Sequence, residues 1–302
     1  SNPRSRSRVG ALQTGATLDR ERGLLFFGTG ENYSAPATDT SDAIFALDAA
    51  TGERRWVNQF TANDTFNRAC VTGGVNCPVE EGPDLDFGAP PLLAKNSEGR
   101  DLLYVGQKSG AVSALDPATG ERVWSQKFGR GGYLGGIHWG LAADIQSGLL
   151  YVPVSDFPAG LELTAAPTPG LYALSLDDGS VQWFAAKDFS EQAQAELGFW
   201  PGLSAGIVAA DGVVVAGDLA GQLEAYDALS GAVLWRYATA QSFTTVNGRE
   251  AKGGSIDSHG PLLVDDLLLV SSGYSGVGMK SGNAFLVFQL AGPANAAGLG
   301  TR

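Results

Sequence analysis

The sequence predicts an all-β chain: a β-propeller of about 4.5–5 four-stranded antiparallel blades with tryptophan-docking motifs. A 14-residue segment recurs four times, as AIFALDAATGERRW (43–56), AVSALDPATGERVW (111–124), GLYALSLDDGSVQW (170–183) and QLEAYDALSGAVLW (222–235). Ala stands fourth, Gly tenth and Trp fourteenth in every copy. The Trp residues at 56, 124, 183 and 235 are 68, 59 and 52 residues apart, room for about four short strands and loops of unequal length. The 42 Gly and a 44% hydrophobic composition fit a turn-rich chain with ample core.

Each copy reads as a hairpin. A run such as AIFALD forms one strand, Asp-x-x-Thr-Gly turns the chain, and Gly supplies the positive φ that the turn requires. The second strand ends on Trp, the flat piece that fills the gap between blades, while the invariant Ala suits a face that neighbours approach closely. Upstream strand pairs complete the unit, PPLLA with LLYVGQK and GIVAA with VVVAGDL. At the N-terminal end GATLDRERGLLFFGTG supplies the early strands of the first blade. At the other end GPLLVDDLLLVSSGY and NAFLVFQL give strands without the Gly–Trp ending. Residues 1–290 are thus read as a partial propeller and 291–302 as a disordered tail. The count fits an arc of a larger ring, with a closed five-blade ring as the alternative. SEQAQAEL reads as a short surface helix and Asp265-Asp266 as a tight hairpin turn.

The net charge of −12 argues against nucleic acid and anionic membrane surfaces as partners. No apolar run approaches a membrane span, and SNPRSRSRVG lacks the apolar stretch of a signal peptide. Both cysteines, Cys70 and Cys77, lie in one loop and are read as a disulfide, which implies an oxidising compartment. A metal pair is the competing reading, but no further Cys or nearby His completes a zinc set. No Cys-x-x-Cys-His occurs, so the chain carries no c-type haem of its own.

Unusual residues collect in the loops between strands, where rigid scaffolds carry their sites. Glu31 and Asn32 follow an apolar strand, and Asp64, Asp84 and Asp86 flank the cysteine loop. Lys108 follows LLYVGQ, and His138-Trp139 lie in the Gly-rich GGYLGGIHWG. Each alone reads as a turn residue. Together, carboxylates and amide oxygens on adjacent strand ends could hold a hard cation such as Ca²⁺, with a neighbouring carboxylate as general base. His259 reads as a loop hydrogen-bonder, and Trp200 as a buried anchor or part of a substrate mouth.

The Ala-x-Asp-x-x-Thr-Gly-x-x-x-Trp ending resembles the tryptophan-docking signature of the pyrroloquinoline quinone (PQQ) alcohol dehydrogenases, an eight-bladed propeller family. GTGENYSAPATDTSDAIFALD, the Cys-containing insertion, DLDFGAPP and GGIHWG resemble its polyvinyl alcohol dehydrogenase branch more narrowly. The resemblance covers most of residues 16–290 and corresponds to the later part of the family's ring. It implies oxidation of alcohols, including secondary or polymeric ones such as polyvinyl alcohol, with PQQ and Ca²⁺ as cofactors and electrons passed to a cytochrome c. A periplasmic or secreted location goes with it. Carried over by motif, Asn32 (or Glu31) and Asp84 become Ca²⁺ ligands. Asp84 also becomes the catalytic base, with Asn67 marking the rival placement of the base. Lys108, His138 and Trp139 become cofactor-binding residues, His138 standing where the family has Asn. The Trp that floors the quinone in the family is replaced by Leu12 or Gln13, and the family's Glu ligand and adjacent Cys pair have no counterpart. The reading from another class is a non-enzymatic scaffold of the outer-membrane-assembly lipoprotein type, or an inactive fragment of the dehydrogenase.

Overall fold

A computed structural model describes residues 15–158, 165–274, 276 and 278–290. The Leu12–Gln13 stretch and the 291–302 tail lie outside those residues. The first sheet is a four-stranded meander of Thr17–Asp19 (β1), Leu24–Gly28 (β2), Ala43–Asp48 (β3) and Arg54–Gln59 (β4). A short helix, Arg68–Thr72 (α1), follows in the cysteine loop. The second sheet is Leu92–Lys95 (β5), Asp101–Gly106 (β6), Ala111–Leu115 (β7) and Arg122–Lys127 (β8). The third is Ala142–Asp144 (β9), Leu149–Val154 (β10), Gly170–Ser175 (β11) and Val181–Ala186 (β12). After the surface helix Glu191–Leu197 (α2) comes the fourth, Val208–Ala210 (β13), Val213–Gly217 (β14), Gln222–Asp227 (β15) and Val233–Ala238 (β16). A hairpin of Ser242–Thr244 (β17) and Glu250–Lys252 (β18) precedes a three-stranded sheet. That last sheet is Leu262–Val264 (β19), Leu267–Ser272 (β20) and Ala284–Gln289 (β21). Four full blades and a three-stranded fifth answer the expected count.

Each repeat is the outer hairpin of its blade, and the register explains its fixed residues. Ala46, Ala114, Ala173 and Ala225 pair across the strands with Trp56, Trp124, Trp183 and Trp235, each beside a shift in register. A small residue opposite leaves the indole free to reach the next blade. Trp56 Nε1 donates to Pro117 O at 3.0 Å, Trp124 to Leu176 O at 3.3 Å and Trp183 to Ala228 O at 3.0 Å. The turn Gly of the following blade lies beneath each ring. A Cβ on Gly120, Gly179 or Gly231 would come within 2.6, 2.7 or 2.5 Å of it.

The core is a series of seams between blades. Phe26 and Ile44 of the first pack with Phe87, Leu103 and Val105 of the second, and the pattern repeats at the next three junctions. Trp200 is buried and donates to Ser155 O at 2.8 Å, so it is an anchor rather than a mouth residue. His259 is exposed in its loop with Nδ1 3.1 Å from Ser258 Oγ. Asp265 turns the β19–β20 hairpin at φ 53°.

Candidate cation and cofactor cleft

The segments that lead into each blade's first strand run along the ends of the preceding blade, which brings distant loops together. Phe87 N donates to Thr29 O, Lys108 N to Asp86 O and Ile137 N to Gln107 O. Gly88 permits the closest approach: a Cβ there would lie 2.4 Å from His138 O. Glu31, Asp84, Asp86, Lys108 and His138 converge as a result, although Glu31 and His138 stand far apart in the sequence.

The disulfide between Cys70 and Cys77 is formed, and the loop it closes walls the site. Asn32 N donates to Asp64 O and Phe66 N to Asn32 O, lacing the loop onto the strand end. Asn67 caps α1 by accepting from Ala69 N at 2.8 Å, and its Nδ2 donates to Tyr33 O and Asn76 O. A capping role accounts for Asn67, the rival position for the base. Asp64, fully buried, accepts the amides of Asp84 (3.1 Å) and Leu85 (2.9 Å) and so fixes the turn in which Asp84 takes a left-handed φ of 56°. Few non-glycine residues adopt that conformation, and it turns the Asp84 carboxylate into the cleft.

The cleft has a volume of about 500 Å³ and is lined by Glu31, Asp84, Lys108 and His138 at its polar end and by Tyr33, Phe66, Val71, Tyr133 and Leu134 elsewhere. Lys108 Nζ lies 2.9 Å from Asp84 Oδ1 and 2.5 Å from Asp86 Oδ2. Glu31 N donates to Asp86 Oδ1 at 3.0 Å. Burial drives the Glu31 carboxyl up, and the neighbouring Asp86 and Asp84 charges add to the shift. Burial also pushes Asp84 up, to about 7, because Lys108 offsets it only partly. Asp86 is held low: burial opposes its charge, but Lys108 and a hydrogen bond from Glu31 outweigh it. Burial works against the Lys108 ammonium, and the attraction of Asp86 and Asp84 more than compensates. His138 is neutral, lowered to about 3 by burial and by Lys108.

One ammonium thus faces three carboxyls whose oxygens lie within 4.8 Å of one another. An all-oxygen donor set of this kind suits a hard cation such as Ca²⁺ once its carboxyls give up their protons. The alternatives for the strand-end ligand separate here. Glu31 stands in the cluster, whereas Asn32 Oδ1 is taken by Thr38 N at 2.7 Å and Thr38 Oγ1 at 3.0 Å. Asn32 is held by these bonds as a residue that fixes the loop. Trp139 stacks obliquely on His138, centroids 4.5 Å apart, but does not line the cleft.

Sequence reasoning passed over Asp42. Both of its carboxylate oxygens are buried without a hydrogen-bond donor, and its φ is 47°. Burial, with the Asp64 carboxyl next to it, raises it to about 10, so it is protonated at neutral pH. A buried Asp ahead of AIFALD carries no motif of its own, and only the fold sets it behind Asp64.

Comparisons with known proteins bear on the family and the fold. The family model PQQ_2, described as "Outer membrane protein assembly factor BamB", matches residues 6–183 and 168–296. A polyvinylalcohol dehydrogenase of Pseudomonas sp is 34% identical over 94% of this chain and 45% of its own length. A second, from Sphingopyxis sp. (strain 113P3), is 36% identical over 90% of this chain and 42% of its own. The chain therefore spans less than half the length of these curated relatives. Among solved structures, quinohemoprotein alcohol dehydrogenase from Comamonas testosteroni superposes with a TM-score of 0.63 at 19% identity, over 92% of this chain and 48% of that one. At that identity the likeness speaks for the propeller fold.

Proposed function

This chain belongs to the PQQ_2 propeller family, and from that premise we propose that it forms the part of a quinoprotein alcohol dehydrogenase that holds PQQ and Ca²⁺. The observation that carries the reading is the trio Glu31, Asp84 and Asp86 around Lys108 at the floor of an open cleft. Glu31, Asp84 and Asp86 would hold the cation, and Lys108 and His138 the quinone. If bound there, the quinone would supply a two-electron acceptor and the cation Lewis acidity.

The remaining chemistry belongs to the chain's own residues. Asp84 accepts the proton of the substrate hydroxyl, a task suited to a carboxylate raised toward neutrality. Lys108 limits how far burial raises that carboxyl, while Asp86 stays ionised and fixes the ammonium. Tyr33, Phe66, Val71 and Tyr133 wall the mouth and shelter the carbon chain of the alcohol. An open apolar mouth suits secondary or polymeric alcohols, polyvinyl alcohol among them. Electrons would leave to a separate carrier such as a cytochrome c, and the Cys70–Cys77 disulfide fits a periplasmic or secreted location.

A non-enzymatic scaffold, which the family description would equally allow, has no use for a buried ammonium among three carboxyls at the floor of a cleft. The test is dye-linked alcohol oxidation by the chain supplied with PQQ and Ca²⁺. Asp84→Asn is expected to cut turnover by about 10²–10⁴ while quinone binding persists. Undiminished turnover in that variant removes Asp84 from the base role.

A further inference from the structure

The three carboxyls of the cleft come from two different sheets. Glu31 follows β2 of the first, whereas Asp84 and Asp86 precede β5 of the second. Glu31 N donates to Asp86 Oδ1 at 3.0 Å, a tie that leaves Asp84 out. Asp64 supplies the other tie, through its backbone and its side chain together. Its carbonyl accepts Asn32 N, next to Glu31, at 3.1 Å, and Asn32 and Thr65 form a parallel bridge. Its carboxyl accepts Asp84 N at 3.1 Å and Leu85 N at 2.9 Å. Those two amides lie on either side of the Asp84 Cα, so the bonds hold its left-handed φ of 56° from both ends. Successive N–H groups around such a residue form a concavity suited to carboxyl oxygens. Gly82 makes the room. Its N donates to Thr65 O at 2.8 Å, and a Cβ there would lie 2.3 Å from Asp64 Oδ1 and 2.7 Å from Asp64 Cα.

We propose that Asp64 is the positioning residue of the cation site: it registers the Glu31 strand end on the Asp84 turn, and Gly82 is the space it needs. Asp64 is fully buried and stands outside the trio Glu31, Asp84 and Asp86, so it acts through the Asp84 backbone. The spacing of the ligand carboxyls is then set by the loop that Asp64 laces together and not by the blades alone. It follows that the site can be dismantled without changing a ligand. The inference rests on the proposed function for the cation; the clamp on Asp84 is a property of the chain alone.

Two readings test it on the chain without quinone. Calorimetric titration with Ca²⁺ reads the site, and amide hydrogen exchange at Asp84 and Leu85 reads the clamp. Asp64→Asn is isosteric but turns one of the two acceptors into a donor that faces an N–H. It should weaken Ca²⁺ at least about tenfold, as loss of a residue that orients ligands does. Exchange of the two amides should quicken by at least about tenfold as their bonds open. Gly82→Ala keeps every carboxyl and should produce both losses, which separates geometry from the removal of an acid. Asn67→Ala uncaps α1 in the same loop and should leave both readings at the parent level. Equal effects from all three variants would make Asp64 a general loop-fixing residue and overturn the proposal. Exchange or Ca²⁺ affinity that survives Asp64→Asn and Gly82→Ala overturns it as well. A parent chain that takes up no Ca²⁺ defeats the cation reading, and the clamp on Asp84 then stands or falls on the exchange rates.

Discussion

Lys108 Nζ stands 2.9 Å from Asp84 Oδ1, and that ammonium offsets charge in a buried acid cluster. Glu31 and Asp84 are both raised above ordinary carboxylates, so in the cation-free chain they retain protons near neutrality. Ca²⁺ binding must displace them. Calorimetric titration at pH 6.5 in buffers of different ionisation enthalpy should show net proton release. Glu31→Gln should abolish most of it and weaken Ca²⁺ at least about tenfold. Asn32→Ala should leave the Ca²⁺ affinity close to that of the parent chain, because its oxygen is committed to Thr38. Binding without proton release would place the cation elsewhere.

Asp42 makes stability depend on pH in a definite direction. Its folded-state value, about 10, lies above the unfolded value of 3.8, so the folded chain holds a proton that the unfolded chain gives up. That contribution is fully present below about pH 4 and is lost as pH rises toward 10. Asp42→Asn keeps the neutral form and removes the dependence. Its thermal midpoint should exceed that of the parent chain at pH 8.5 and approach it at pH 5. Parallel curves for the two proteins would mean that Asp42 is ionised when folded.

The glycines beneath the tryptophans offer a matched pair. Gly52 and Gly120 share φ 75°, but a Cβ meets nothing within 4 Å at Gly52 and lies 2.6 Å from Trp56 at Gly120. Gly52→Ala should cost roughly 1–2 kcal/mol for the left-handed backbone. Gly120→Ala should cost about 1–3 kcal/mol more for the displaced indole. Equal losses in urea unfolding would show that ring contact is not what fixes this Gly.

Reduction of the Cys70–Cys77 bridge should act locally. The closed loop is short, worth roughly 2–3 kcal/mol on the chain-entropy model, and α1 contributes Arg68 and Val71 to the cleft wall. Under a mild reductant, limited proteolysis should cut between residues 68 and 82 first while the thermal transition of the blades persists. Loss of the blades together with the loop would make the bridge a global element.

The blades were legible in the sequence because the repeat records a contact: Gly120, Gly179 and Gly231 sit under the Trp of the preceding copy, and each Ala faces its own Trp. Asp84, Lys108, Glu31 and His138 were legible through local motifs, and the fold brings all four to one cleft. The bonds from Thr38 to Asn32 Oδ1 were not, since they depend on the path of the 28–42 loop. Asp42 acts through Asp64 across the loop, and a single residue without a pattern leaves no trace along the chain. The helix at 191–197 and the Asp265 turn followed from local propensity alone.

The most direct test of the central claim is a titration of the purified chain with PQQ in excess Ca²⁺, followed by the quinone absorbance. The account predicts saturable binding that Lys108→Ala weakens at least about tenfold, the loss of one well-placed charged partner. A folded chain that shows no saturation, or that binds equally well after Lys108→Ala, contradicts it.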